Sequence, residues 1–272
     1  MNKTIVSISR YTPLRVVFRG LRFHKIYNKW LELFPRIRIL PNSGITYRAR
    51  RTEGVSLALE ILEGGDCYDA SLLPKDYCTF IDLGCNIGYF ACWLAHHAQG
   101  RQIKGLMIDA NPNVVAESRW HVQANKWQNV HVLQGVVGVG SQQLGEAEFY
   151  VHEADTISTS LVEIHLKHKN RYKKITAPIV SVSQEWHKNM GDIRCNVLKL
   201  DIEGCELVLL QHEVKFLELV DTIFVEWHKY KVSFDDLDSF LVAQGFRLKK
   251  IIEEIGDNGT AVYARAQELG PS

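Results

Sequence analysis

No apolar run in the 272 residues approaches the roughly 18 that a membrane-spanning helix needs. The opening stretch, MNKTIVSISRYTPLRVVFRG, holds neither a continuous apolar core nor a small-residue cleavage site. A secreted or spanning protein is therefore not expected, and the chain reads as cytoplasmic. The six cysteines, Cys67, Cys78, Cys85, Cys92, Cys195 and Cys205, include no CxxC pair. That argues against a zinc or dithiol centre and for reduced thiols that mostly serve as packing residues. There is no internal repeat and no low-complexity tract, and nothing suggests disorder.

What is present is an ordinary globular composition, 46% hydrophobic and 23% charged, enough for one large core. The net charge of +1 conceals an asymmetry. Residues 1–51 carry twelve Lys or Arg and one acid, Glu32, about +11, which leaves about −10 for the remainder. Leu14, Val17, Phe18 and Leu21 recur at helical spacing with Arg15, Arg19 and Arg22 between them, and Trp30, Leu31, Leu33 and Phe34 extend the pattern to Pro35. Residues 1–77 are accordingly read as a basic, N-terminal helical segment, either packed on the acidic body or in peripheral contact with the anionic inner membrane surface. Nucleic acid is the weakest of the three partners, because no binding module accompanies the charge. A homo-oligomer is compatible with the sequence.

From residue 78 the pattern alternates. Strands are predicted at 78–83, 104–109, 129–137, 195–201, 220–226, 245–251 and 259–264, with helices at 88–98, 112–125, 203–214 and 233–243. Pieces at 146–151 and 176–182 flank a polar insertion at 152–175. The expectation for residues 78–266 is an α/β domain with a doubly wound, mostly parallel seven-stranded sheet.

In such a sheet, ligands bind at the carboxyl ends of strands near the point where the strand order reverses. "FIDLGCNIGYF" puts Asp82, Gly84, Asn86, Gly88, Tyr89 and Phe90 there. The spacing G-x-x-x-G lacks the third glycine of a dinucleotide loop, and the acid before it would repel a pyrophosphate. A cationic nucleoside such as S-adenosylmethionine fits better, with an NAD(P)-dependent oxidoreductase as the alternative enzyme. In "GLMIDANP", Asp109 stands where an acid accepts hydrogen bonds from ribose hydroxyls, and Ala110 and Asn111 follow it. Gly135 and Val136 are candidates to line an adenine pocket. His96 and His97 lie in the first helix and read as non-ligands.

"FIDLGCNIGYF", "MIDANP", "NVHVLQGVVG", "LKLDIEGCELVLL" and "IFVEWH" together resemble the FkbM-type methyltransferases, a class I S-adenosylmethionine-dependent family with a Rossmann-like fold. The likeness spans roughly residues 78–250, and its most specific part is the D-x-E-G-x-E run from Asp201 to Glu206. Cys85 stands where that family usually has Ala, and Asp109 where it usually has Glu. The resemblance implies transfer of a methyl group to a hydroxyl of a carbohydrate or other small natural-product acceptor. It also implies that the ends of the fourth and fifth strands adjoin the methyl group.

That spot gathers Asp201, Glu203, Glu226 and His228. Asp201 and Glu203 share a face if still extended, as do Glu226 and His228. His228 or Asp201 can act as base toward the hydroxyl; alternatively Asp201, Glu226 and His228 can bind a divalent cation, Mg²⁺ or Mn²⁺. The metal-free base is the favoured reading. Glu206, one turn into a helix, is expected to face solvent. Ser158 and Ser160 of "DTISTS" are candidates for cleft contacts, and "HLKHKNRYKK" is a solvated face or an attractor of an anionic acceptor. A non-catalytic nucleoside-binding or scaffold protein of the same fold is the remaining alternative.

Overall fold

The computed structural model describes residues 23–65, 67–98, 100–138, 145–152, 159–160, 172–228, 231–255 and 258–266. The expected helix built on Leu14, Val17, Phe18 and Leu21 lies outside them, as do Ser158 and residues 165–171. The described chain begins with α1 (Phe23–Leu33), the hairpin β1 (Arg36–Ile39) and β2 (Thr46–Ala49), and α2 (Thr52–Ile61). The hairpin falls in a stretch read only as basic and helical. Its strands, RIRI and TYRA, alternate with period two, which the density of arginine obscures.

Two β-α units and a closing strand follow with the periodicity of a wound sheet: β3 (Thr79–Leu83), α3 (Tyr89–His97), β4 (Lys104–Asp109), α4 (Pro112–Ala124) and β5 (Val130–Gln134). A separate antiparallel sheet comprises β6 (Glu146–His152), β7 (Thr159–Ser160) and β8 (Tyr172–Pro178). The chain then forms α5 (Val182–Met190), β9 (Cys195–Leu200), α6 (Glu206–His212), α7 (Val214–Leu217), β10 (Val220–His228), α8 (Phe234–Ala243), β11 (Phe246–Ile255) and β12 (Asn258–Arg265).

The main sheet has the order β11-β12-β10-β9-β3-β4-β5. The five strands from β10 to β5 run parallel, and β12 is antiparallel to both its neighbours. The chain winds outward from β3 through β4 to β5, then returns to the other side of β3 for β9 and β10. The order therefore reverses between β3 and β9. Alternate residues feed two cores: Ile81, Leu83, Leu106, Ile108, Leu198, Leu200, Ile223 and Val225 on one face, and Phe80, Met107, Val197 and Phe224 on the other. The N-terminal elements share the second face's packing, since Leu40, Tyr47 and Ala58 cluster with Ile87, Tyr89, Cys92 and Val114. No helix among the described residues is long and apolar enough to cross a membrane.

Candidate active site

The carboxyl end of β3 meets that of β9 at the reversal point. Gly84 has φ +68, and a Cβ there would stand 1.8 Å from the Asp201 carbonyl oxygen. The glycine is thus required by the protein's own backbone. Gly88 caps α3 at φ +85, and a Cβ would meet Met107 Cε at 2.7 Å and Ser118 Oγ at 3.0 Å. Between them Asn86, also at positive φ, turns the loop and donates its N–H to Asp109 Oδ2 at 2.9 Å.

Asp109 is nearly buried and accepts a second backbone bond at Oδ1, from the Asn111 N–H at 2.8 Å. Burial pushes its carboxyl up, and those two N–H groups pull it back. Each oxygen keeps a second lone pair for a ligand hydroxyl. Asn111 caps α4 through Oδ1, bonded by the Asn113 N–H at 3.0 Å, while its buried Nδ2 has no hydrogen-bond partner among the described residues. A buried amide donor left open beside Asp109 suits a heteroaromatic acceptor. Ala110 is partly buried and its carbonyl accepts from Gln134 Nε2 at 3.3 Å.

Other expected cofactor residues contribute less. Tyr89 and Phe90 send their side chains into the core, Tyr89 donating to the Arg48 carbonyl at 2.8 Å and Phe90 stacking on Trp93. Only their backbone remains for a ligand. Val136 is buried, its N–H bonded to the Pro178 carbonyl at 2.8 Å, and a Cβ on Gly135 would strike Val180 at 2.2 Å.

Asp82 is fully buried, and neither of its oxygens accepts a hydrogen bond among the described residues. The charge facing it is Lys199, its register partner across β3 and β9, with Nζ 3.5 Å from Oδ1. Burial raises Asp82 to about 6 against the pull of that ammonium. Lys199 Nζ also donates to the Gly84 carbonyl at 2.8 Å and to Asp201 Oδ2 at 3.2 Å. One buried cation thus ties both acids and the glycine turn together. The sequence carries a signal for it: a lone Lys in an apolar central strand must find a buried partner.

The second cluster forms at the ends of β9 and β10. The strand stops at Leu200, and Glu203 turns at φ +56, so Asp201 and Glu203 do not share an extended face. The turn instead brings Glu203 Oε2 to 3.7 Å from His228 Nε2. β10 does continue through Glu226 and His228, which lie on one face with Oε1 to Nε2 at 3.9 Å. Glu206 does not face solvent. It is completely buried, its Oε1 accepting from the Ile202 and Gly204 N–H groups at 3.1 and 3.0 Å and lying 3.4 Å from His228 Nδ1. Burial alone would lower His228; the carboxylates, Glu206 foremost, overcome it and hold the imidazolium well above its usual range. Burial lifts Glu203, and the Asp201 charge followed by burial lifts Glu226. Glu203, Glu226 and His228 titrate together.

Asp201, Glu203 and His228, not the expected trio with Glu226, bring one ligand atom each within 4.8 Å of one another. A divalent cation fits poorly there. The Lys199 ammonium already lies 3.2 Å from Asp201 Oδ2 and competes with a cation for that carboxylate.

This geometry coincides with a family match. The methyltransferase FkbM domain model covers residues 82–248, more than half of the chain. The chain belongs to the FkbM methyltransferase family. It is similar to "Methyltransferase 1" of Beauveria bassiana, 24% identical over 197 residues that span 66% of this chain and 76% of that one. Among solved structures it resembles methyltransferase FkbM from Methylobacillus flagellatus, with 15% identity, a TM-score of 0.47 and coverage of 72% of this chain. The chain spans 48% of that structure's length. It also resembles the Methanococcus jannaschii fibrillarin pre-rRNA processing protein, with 13% identity, a TM-score of 0.48 and coverage of 85% and 82%. FkbM proteins are S-adenosylmethionine-dependent methyltransferases, so the cofactor class follows from membership.

Proposed function

We propose that the protein methylates a hydroxyl of a carbohydrate or other small natural-product acceptor. The observation that carries this reading is the cluster of Glu203, Glu226 and His228, backed by buried Glu206, beside Asp201 at the ends of β9 and β10. A hydroxyl must lose its proton as it attacks, whereas a neutral amine attacks through a free lone pair, so a built proton acceptor suits oxygen. S-adenosylmethionine, when bound, supplies an electrophilic methyl group on a sulfonium. Asp109 and Asn111 hold the nucleoside, and Asp201 is fixed by Lys199.

His228 keeps its proton at neutral pH and therefore serves as a fixed positive charge that orients its carboxylate neighbours. The base is Glu203, whose carboxyl is lifted toward neutrality, the range in which proton acceptance is most effective. The missing third glycine and the buried Asp82 speak against a nicotinamide enzyme, and the assembled cluster speaks against a scaffold that has lost its chemistry. The free cysteines support a reducing, cytoplasmic setting.

Isothermal titration with S-adenosylmethionine tests the cofactor part: wild type binds, and Asp109→Ala does not. No heat with wild-type protein defeats the reading. With an acceptor in hand, Glu203→Gln, Asp201→Ala and His228→Ala each lower kcat, Glu203→Gln on the order of 10²-fold, and spare cofactor affinity. Activity that persists after extensive EDTA dialysis is expected; restoration only by Mg²⁺ or Mn²⁺ would reinstate the cation.

A further inference from the structure

An apolar stripe runs along the outer side of α1. Ile26, Tyr27, Trp30, Leu33 and Phe34 are 65, 45, 52, 75 and 61% exposed. At 3.6 residues per turn they span an arc of roughly 120°. Tyr27 stacks on Trp30 with ring centroids 5.9 Å apart, and Trp30 lies 5.8 Å from Phe34.

The helix's other side is anchored. Leu31 is fully buried, Asn28 Oδ1 accepts from the Thr52 N–H at 2.9 Å, and the Glu32 carbonyl accepts from Arg50 at 3.0 Å. The stripe is therefore held outward on a fixed support. Beyond Pro35, Ile37 and Ile39 of β1 are also exposed, at 54 and 66%.

Single exposed apolar residues need no explanation, but seven large ones within residues 26–39 do. Their setting is positive. Lys29 borders the stripe and Arg38 stands between the two isoleucines, both exposed. Residues 1–22 add five Lys or Arg and no acid. Aromatic rings beside an apolar face and cationic side chains are what the headgroup region of an anionic bilayer accommodates, the rings at the acyl boundary and the cations against phosphate.

We infer that the α1 stripe, with Ile37 and Ile39, is a docking surface for an anionic lipid bilayer. It holds the protein at the membrane plane without spanning it. Charge gives approach and salt sensitivity; the aromatic stripe gives the part of the binding that salt does not remove. Such docking requires no particular methyl acceptor.

The test is co-sedimentation of the full chain with phosphatidylcholine vesicles, with and without phosphatidylglycerol, across a salt series. Binding is expected only to the anionic vesicles and strongest at low salt. Trp30→Ser combined with Phe34→Ser should weaken it on the order of tenfold or more, with the melting temperature and S-adenosylmethionine binding of wild type. If that pair melts lower, Leu33→Ser, at 75% exposure, replaces it. Absence of vesicle binding overturns the inference. So does equal binding by wild type and variant, which would assign attachment to charge alone. A wild-type dimer that the double substitution makes monomeric, with no vesicle binding, would identify the stripe as a contact between copies.

Discussion

Gly84 shows how one residue type can be demanded for two reasons that differ in cost. Its φ of +68 carries the ordinary left-handed penalty, and the Asp201 carbonyl oxygen 1.8 Å from an added methyl brings a backbone collision as well. Gly44 has nearly the same φ, +71, and open space around it. Gly44→Ala should then cost about 1 kcal/mol, and Gly84→Ala roughly 3 kcal/mol or more or a failure to fold, measured by urea unfolding. Equal costs would mean that β3 and β9 part easily. At His228 the sign of a pH effect follows from its immediate neighbours. Its raised pKa keeps the imidazolium charged through neutral pH, while Glu203, lifted to about 7, gains its base form as pH rises. Turnover should therefore climb from neutral into mildly alkaline pH. Glu206→Gln removes a negative charge that helps lift Glu203, so the rise should move to lower pH, as a pH–rate profile will show. An unmoved profile would mean that the Glu206 charge does not act on Glu203.

At the level of elements, β2 is fastened to the glycine loop by His121 of α4. The buried imidazole accepts the Arg48 N–H at Nε2, 3.0 Å, which makes Nδ1 the protonated nitrogen that donates to the Ile87 carbonyl, 2.8 Å. Burial lowers this histidine to about 4, so the folded protein refuses a proton that the unfolded chain takes up near 6.5. Stability supplied by the neutral ring is full above that value and drains as pH falls toward 4, on the order of 3 kcal/mol in all. NMR titration should find the ring neutral through mildly acidic pH, and His121→Ala should lack this acid-dependent loss while being less stable at neutral pH. An imidazole titrating near 6.5 would refute the clamp. The elements bracketing this contact divide between legible and hidden. β3, β4, β9 and β10 are readable because apolar runs end in Asp, Asp, Asp and Glu-x-His at the sheet's carboxyl edge. α5 is not, because Ile179, Val180 and Val182 read as strand and mask a helix capped by Ser181. Glu206 escapes a reading of the sequence because a charged residue is ordinarily assigned to solvent, and although a lone Lys in the apolar run of β9 signals a buried partner, only the three-dimensional register names Asp82 for Lys199 and His228 for Glu206.

For the whole molecule, the FkbM match begins at residue 82, yet α2 and the β1–β2 hairpin pack into the same core as the glycine loop. Occupancy of the cofactor site should therefore be felt throughout the described fold, not by the sheet alone. Ligand that binds only the folded state adds about 2.7 kcal/mol at a hundredfold excess over Kd. For a domain of this size that is a rise in Tm of roughly 5–10 °C. S-adenosylmethionine and its demethylated product should each produce such a shift as one cooperative transition, and NAD should produce none. Asp109→Ala should lose the shift, and Asp109→Asn, which keeps an oxygen to accept one of the Asn86 and Asn111 N–H groups, should keep the fold if the alanine variant does not. A shift with NAD in place of the sulfonium ligand would mean that the buried Asp82–Lys199 pair leaves the loop able to receive a pyrophosphate. A shift confined to a minor early transition would mean that the N-terminal elements melt apart from the sheet, against the shared core in which Tyr47 meets Tyr89 edge-on at 5.8 Å.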